Sequence, residues 1–266
     1  MKRWIVLCMA ALLSFSLLAA GCGGSEKKAE TPASSGASAK VLRVGTNADF
    51  APFEFQDVSG KEYQGFDMDL IRAIAKEMGY QADIQNINFD GLIPAMESGN
   101  LDVIIAGMSI NDERRQKVEF SDPYYKSGLT IIVKKDNTAI QRFSDLVGKR
   151  VAVQIGTTSA KEVRKIEGVE IREFNSSAET FLELRAGGVD AVVNDRPVND
   201  YYIAKSGITD VRALNELLTS EDYGIAMSKK NPELAKEVNA ALKKLRENGE
   251  YDKIYKKWFG TASQGK

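Results

Sequence analysis

The sequence predicts an α/β protein built as two similar lobes, and three observations carry that reading. From Val41 onward, short apolar runs alternate with stretches of helical periodicity, the pattern of parallel strands joined by crossover helices. The chain has 266 residues, more than one compact core usually organises, since domains cluster near about 100–150 residues. Finally, Ser98 to Gly107 (SGNLDVIIAG) aligns with Ala186 to Asp195 (AGGVDAVVND), and Leu42 to Asn47 has a counterpart in Arg150 to Ile155. Each copy reads as a helix end, a turn and a buried strand, so one α/β unit occurs twice.

The N-terminus reads as a targeting segment. Lys2 and Arg3 precede an apolar run from Trp4 to Leu18, too short to span a bilayer comfortably, and small residues follow. The stretch Leu18-Ala19-Ala20-Gly21-Cys22 is similar to a bacterial lipobox, which implies a signal peptide over residues 1–21 and a diacylated Cys22 as the mature N-terminus. Residues 22–40, rich in Gly, Ser, Ala, Lys and Glu, read as a flexible tether that lets the folded part stand off a membrane.

Beyond the tether, Val41 to Thr46 forms the first buried strand. A helix follows Gly65-Phe66-Asp67-Met68-Asp69, with Leu70, Ile71, Ile74, Ala75 and Met78 on one face and Gly79 as its stop. The turn Val147-Gly148-Lys149 opens the second βα series. Near the end, Asn231 caps a helix with Pro232 at its first position and Leu234, Val238, Leu242 and Leu245 in one stripe. Tyr251, Ile254, Tyr255 and Trp258 then recur at helical spacing, which predicts packing against a lobe.

Composition removes several function classes. The formal net charge is −1 and falls by two once Lys2 and Arg3 are cleaved, so no strong positive field draws nucleic acid. There is no histidine, and neither Cys8 nor Cys22 lies in the folded part. His-based triads, His-containing zinc sites, thiol catalysis and a disulfide are thereby excluded there, and neither a metal nor a cofactor is expected.

In open α/β sheets, ligands bind beyond the carboxyl ends of strands. The residues there are Asn47 and Phe50, Gly107 to Ser109, Gln154 to Thr158, and Asn194 with Asp195. Gly156-Thr157-Thr158-Ser159 lies between a strand and a helix, and Ser159 and Glu162 have capping-box spacing; the segment suits an anion such as a carboxylate, or is simply a turn. Asn111-Asp112-Glu113-Arg114-Arg115 reads as another helix start, where an arginine offers a fork to a carboxylate, though spacing does not choose Arg114 over Arg115. Asp195 suits an ammonium group or a turn cap. An anion site facing a cation site fits an amino acid zwitterion.

Several stretches in one order resemble the polar amino acid family of periplasmic solute-binding proteins, the glutamine-binding members most closely. They are Ala51-Pro52-Phe53-Glu54-Phe55, Gly65 to Leu70, Asn111 to Arg114, Phe120-Ser121-Asp122-Pro123-Tyr124-Tyr125, Leu245 to Gly249, and Lys257-Trp258-Phe259-Gly260. The resemblance implies the two-lobed type II periplasmic binding fold, with a ligand cleft between lobes joined by two crossing strands. Lobe one would comprise 41–125 and 223–260, and lobe two 126–222 with the crossings at its ends. It also implies that Arg114 clamps an α-carboxylate, helped by backbone N–H groups of Ser109 and Thr158. Asp195, the Gly107 carbonyl and the Ser109 hydroxyl would hold the α-ammonium, Phe50 and Phe89 would stack on the ligand, and Asn47, Gln154 and Asn194 would face its distal group.

Those last three positions are uncharged amides where the glutamine-binding pattern has an acid, a lysine and a histidine, and amides complement a neutral amide ligand. The expected activity is therefore binding without catalysis. The expected partners are a free L-amino acid, glutamine before arginine or histidine, and the permease of an ABC importer served by a monomer that is exported and lipid-anchored to the outer face of the cell membrane, or periplasmic. A dehydratase on the same fold would need a further acid beside the ligand, and no carboxylate besides Asp195 is expected in the pocket. A receptor's sensor module would need a spanning helix. Asp49 is expected to be solvated.

Overall fold

The structure, a computed structural model, describes residues 40–205 and 207–260. The expected signal peptide, Cys22 and nearly all of the tether lie outside the described residues. β1 (Lys40–Thr46) already includes Lys40, which pairs with Tyr80, so the strand starts one residue inside the expected tether. A small meander follows, β2 (Asp49–Phe50), β3 (Glu54–Gln56) and β4 (Tyr63–Gln64), then α1 (Phe66–Glu77), β5 (Tyr80–Asn86), α2 (Phe89–Glu97) and β6 (Val103–Ile104). Next come α3 (Asp112–Lys117), β7 (Val118–Phe120) and β8 (Tyr125–Ser127). The second series contains β9 (Leu129–Lys134), β10 (Arg150–Gln154), α4 (Thr158–Val163), β11 (Glu170–Phe174), α5 (Ser177–Ala186), β12 (Ala191–Asp195), α6 (Arg196–Lys205) and β13 (Val211–Ala213). The chain returns through β14 (Glu221–Tyr223) to β15 (Ala226–Ser228), α7 (Pro232–Glu247) and α8 (Glu250–Phe259).

Two five-stranded sheets result, ordered β5-β1-β6-β15-β7 and β11-β10-β12-β9-β13. In each, the first strand of a βα series runs parallel to both neighbours, β1 beside β5 and β6, β10 beside β11 and β12. The sequence repeat maps onto this symmetry. Arg43 on β1 donates its backbone N–H (2.9 Å) and its guanidinium (2.7 Å) to Asp102, and Arg150 on β10 does the same to Asp190 at the same two distances. The Asp shared by both copies thus clamps the entering end of the central strand to its neighbour. Both pairs are solvated enough that they set register more than they add stability.

The lobes are joined by β8 and β14, which pair antiparallel with Tyr125 opposite Tyr223 and Ser127 opposite Glu221. Around this crossing the motif residues converge. The Phe53 ring meets those of Tyr125 at 4.8 Å and Tyr223 at 5.2 Å, and Tyr125 meets Phe259 at 5.0 Å. Gly65 sits at φ 133°, and a Cβ there would lie 2.0 Å from the Phe53 carbonyl oxygen, so only glycine lets α1 start against this cluster. Asp69 of the same motif accepts from Lys257 Nζ and Trp258 Nε1, each at 2.7 Å, which fastens α8 to α1. The α7 stripe of Leu234, Val238, Leu242 and Leu245 is buried, as are Tyr251 and Ile254 of α8. Among the described residues, no helix is long and apolar enough to cross a membrane.

Candidate functional site

The carboxyl ends of β1, β6, β10 and β12 converge on a cleft between the two sheets. The cavity there is lined by Asn47, Phe50, Glu54, Phe89, Ala106, Gly107, Ser109, Arg114, Gln154, Thr157, Thr158 and Asp195. Nine of the ten ligand residues expected from sequence are in that lining.

One wall is set by α3. Asn111 caps the helix by accepting from Arg114 N–H at 2.9 Å, which turns Arg114 inward and leaves Arg115 exposed. The Arg114 guanidinium donates to Ser109 O at 2.7 Å and, across the cleft, to Gly156 O at 3.1 Å. It lies 5.2 Å from the centre of the Phe89 ring. Burial lowers its pKa, while the nearby carboxylates of Glu221, Asp195 and Glu113 act to raise it. Its free edge is a forked donor for an anion.

Opposite stands Asp195, at the end of β12, buried and accepting from Ser127 Oγ at 2.8 Å. Burial, and then the charge of Glu221, push its pKa up to about 7, against hydrogen bonds from Tyr223 and Ser127 and the charge of Arg114. A cation delivered to this cavity is what the group lacks. Gly107 is fixed between them: its N–H donates to Asp67 Oδ2 at 2.9 Å, the same oxygen that accepts from Tyr124 OH at 2.7 Å. Gly107 adopts φ 52°, and a Cβ would fall 2.8 Å from the Phe50 ring, so this backbone passes against Phe50 only as glycine. At the remaining end, Gln154 Nε2 donates to Asn47 Oδ1 at 2.7 Å and to Asn175 O at 2.9 Å, an amide contact joining the lobes.

The cleft thus lies between two lobes, with a forked cation and a buried acid facing each other. Residues 42–261 match the model of bacterial extracellular solute-binding proteins, family 3. The chain belongs to that family. It is 37% identical to a probable histidine-binding protein of Neisseria gonorrhoeae, over 97% of this chain and 96% of the relative. It is 34% identical to the arginine-binding extracellular protein ArtP of Bacillus subtilis (strain 168), over 97% and 98%. Among solved structures, an ancestral arginine-binding protein, described in one structure bound to arginine and in another bound to glutamine, shares 47% identity at TM-score 0.80, over 83% of this chain and 98% of that one.

Within this family-3 cleft the structure departs from the sequence reading in five respects. Asn194 does not line the cavity: side chains alternate along a strand, and with Asp195 facing in, Asn194 faces α5, where its amide donates to Ser177 Oγ at 2.9 Å. The cap of α4 is Thr157, accepting from Ala160 N–H at 3.2 Å, rather than Ser159, which is buried one residue inside the helix. Asp49 is half-buried rather than solvated, held beside Ser176 and Ser177, and burial pushes it up to about 6. Glu54, fully buried in the cavity lining, was not expected at all; burial and then the adjacent Asp67 push its pKa well up. Glu221, on the crossing strand, was also missed. Its Oε2 accepts from Ser109 Oγ and, at 2.8 Å, from Thr158 Oγ1.

Proposed function

We propose that the protein captures a free L-amino acid outside the cell and hands it, without turnover, to the permease of an ABC importer. The observation that carries this reading is the opposition of Arg114 and Asp195 across one enclosed cleft. An α-carboxylate takes the guanidinium fork together with backbone N–H groups at Ser109 and Thr158. An α-ammonium takes Asp195, the Gly107 carbonyl and the Ser109 hydroxyl, and Phe50 and Phe89 flank the aliphatic part. Lobe one is taken as 41–125 with 223–260 and lobe two as 126–222, acting as a monomer tethered through a diacylated Cys22.

For the distal group, Asn47 and Gln154 supply donors and acceptors without charge, which favours glutamine. A second reading, arginine, is favoured by the half-buried Asp49 near Asn47 and by the kinship with the arginine-binding protein of Bacillus subtilis. A thermal-shift screen followed by calorimetry with glutamine, glutamate, arginine, lysine and histidine separates the two. Glutamine at a hundred times its dissociation constant is expected to stabilise the protein by about 2.7 kcal/mol. Tighter arginine than glutamine binding sinks the amide reading, and no stabilisation by any amino acid sinks the proposal.

A linked expectation concerns Asn47. Asn47→Asp puts a carboxylate in the amide end of the cleft and should move the ranking toward arginine and lysine, by about tenfold or more relative to glutamine. An unchanged ranking in competitive calorimetry removes Asn47 from the specificity site.

A further inference from the structure

Glu221 is the one acidic side chain on the two crossing strands that reaches both lobes. It opens β14, opposite Ser127 on β8. Its Oε2 accepts from Ser109 Oγ, which follows β6 in the first lobe, and at 2.8 Å from Thr158 Oγ1, at the start of α4 in the second. Its Oε1 accepts from Thr219 Oγ1 at 2.8 Å, on the returning segment itself. A single carboxylate oxygen therefore holds a hydroxyl from each lobe, and the group that carries it belongs to the hinge.

The consequence lies in the protons. A hydroxyl has one proton to give and two lone pairs. Ser109 and Thr158 each spend that proton on Glu221, and both also line the cavity. What their oxygens can offer a bound molecule is then acceptance only. For Ser109 Oγ that suits an ammonium and not a carboxylate, so the polarity of the amino-acid site is decided partly by a residue outside the cavity lining. The same two bonds close the lobes upon each other.

We propose that Glu221 is a positioning residue of the site, a hinge-borne carboxylate that ties the lobes through Ser109 and Thr158 and turns the Ser109 hydroxyl to receive the ligand's ammonium. The ligand half of this statement rests on the amino-acid reading above; the closure half does not. Bonds of this kind, between a carboxylate and a hydroxyl, are each worth enough that losing them should speed ligand dissociation by roughly tenfold or more.

The test uses dyes on the two lobes and single-molecule energy transfer, first without ligand and then with glutamine or arginine. Glu221→Ala is expected to raise the open population of the free protein, and Thr158→Val to do the same. The double variant should be no more open than Glu221→Ala alone, because that substitution already removes the contact that Thr158→Val cuts. With ligand, Glu221→Ala should dissociate roughly tenfold faster or more. A closed population and off-rate equal to the parent's, or effects that simply add, overturn the proposal. Glu221→Gln, which keeps the size of the side chain, is the second variant and has a readout that a packing role would not move. The groups facing Asp195 are Glu221 and Tyr223 on β14, Tyr125 and Ser127 on β8, Arg114 on α3 and Glu54 on β3. Removing the charge of Glu221 should move the acid limb of ligand affinity to lower pH, and an unmoved limb counts against the proposal. Should the parent bind neither glutamine nor arginine, the amino-acid reading fails and the free-protein closure data still judge the hinge tie.

Discussion

Arg114→Ala is expected to abolish amino-acid binding, while Arg115→Ala binds within about twofold of the parent. The two arginines are adjacent in sequence, yet α3 turns one into the cleft and the other to solvent. Arg114 is buried, donates to Ser109 O and Gly156 O, and lies against Phe89. Its removal deprives a ligand carboxylate of its counter-charge inside an enclosed cleft, which costs roughly 3–5 kcal/mol, or about two to four decades of affinity. It also cuts the bond to Gly156 that links the lobes. Arg114→Lys separates charge from geometry: the cation remains but the planar fork does not, so affinity should fall between the parent and the alanine variant. Calorimetric titration with glutamine and with arginine reads all three. Equal losses at positions 114 and 115 would overturn the assignment.

What made Arg114 findable was a local rule, the Asn cap three residues before it, although spacing alone left Arg115 open until the resemblance was invoked. The strand-end rule similarly located Asn47, Gln154 and Asp195, because a βα unit delivers whatever follows its strand to the same edge of the sheet. The repeated Asp in the two aligned segments was legible as a repeat, though its role in clamping Arg43 and Arg150 needed the pairing of β1 with β6 and of β10 with β12. The misses share a different cause. Asn194 adjoins Asp195 at a strand end, but alternation sends adjacent side chains to opposite faces, and the sequence does not say which face is the cleft. Glu54 stands between Phe53 and Phe55 in a three-residue strand, too short for a period to reveal that the acid points inward. That flanking by two aromatic residues was the available signal. Glu221 is 112 residues from Ser109 and 63 from Thr158, so its bonds to both exist only through the crossing of β8 and β14.

Affinity for an amino acid is expected to fall as pH drops from 8 to 5.5, while the ligand-free protein loses stability in the opposite direction, as pH rises. Both follow from Asp195. Its pKa is raised from 3.8 to about 7 by burial and by the charge of Glu221. A carboxyl raised on folding contributes stability that is fully present below its unfolded pKa and is lost as pH climbs through the folded value, here between about 4 and 7. Asp49 and Asp67, each raised to about 6, act in the same sense over a slightly lower window. An ammonium arriving beside Asp195 favours the ionised form and draws the pKa back down. Below about 7 a proton competes for that carboxylate, so affinity should weaken by up to tenfold per pH unit until the bound-state pKa is reached. Stabilisation by glutamine or arginine, measured as a thermal shift at fixed ligand concentration, should therefore be larger at pH 8 than at pH 5.5. Asp195→Asn removes the titrating group and should weaken binding at pH 8 while flattening the profile. The amide retains an acceptor for Ser127 Oγ, so the fold is kept. An affinity that is constant from pH 5.5 to 8 in the parent would mean that Asp195 does not receive the ligand's ammonium.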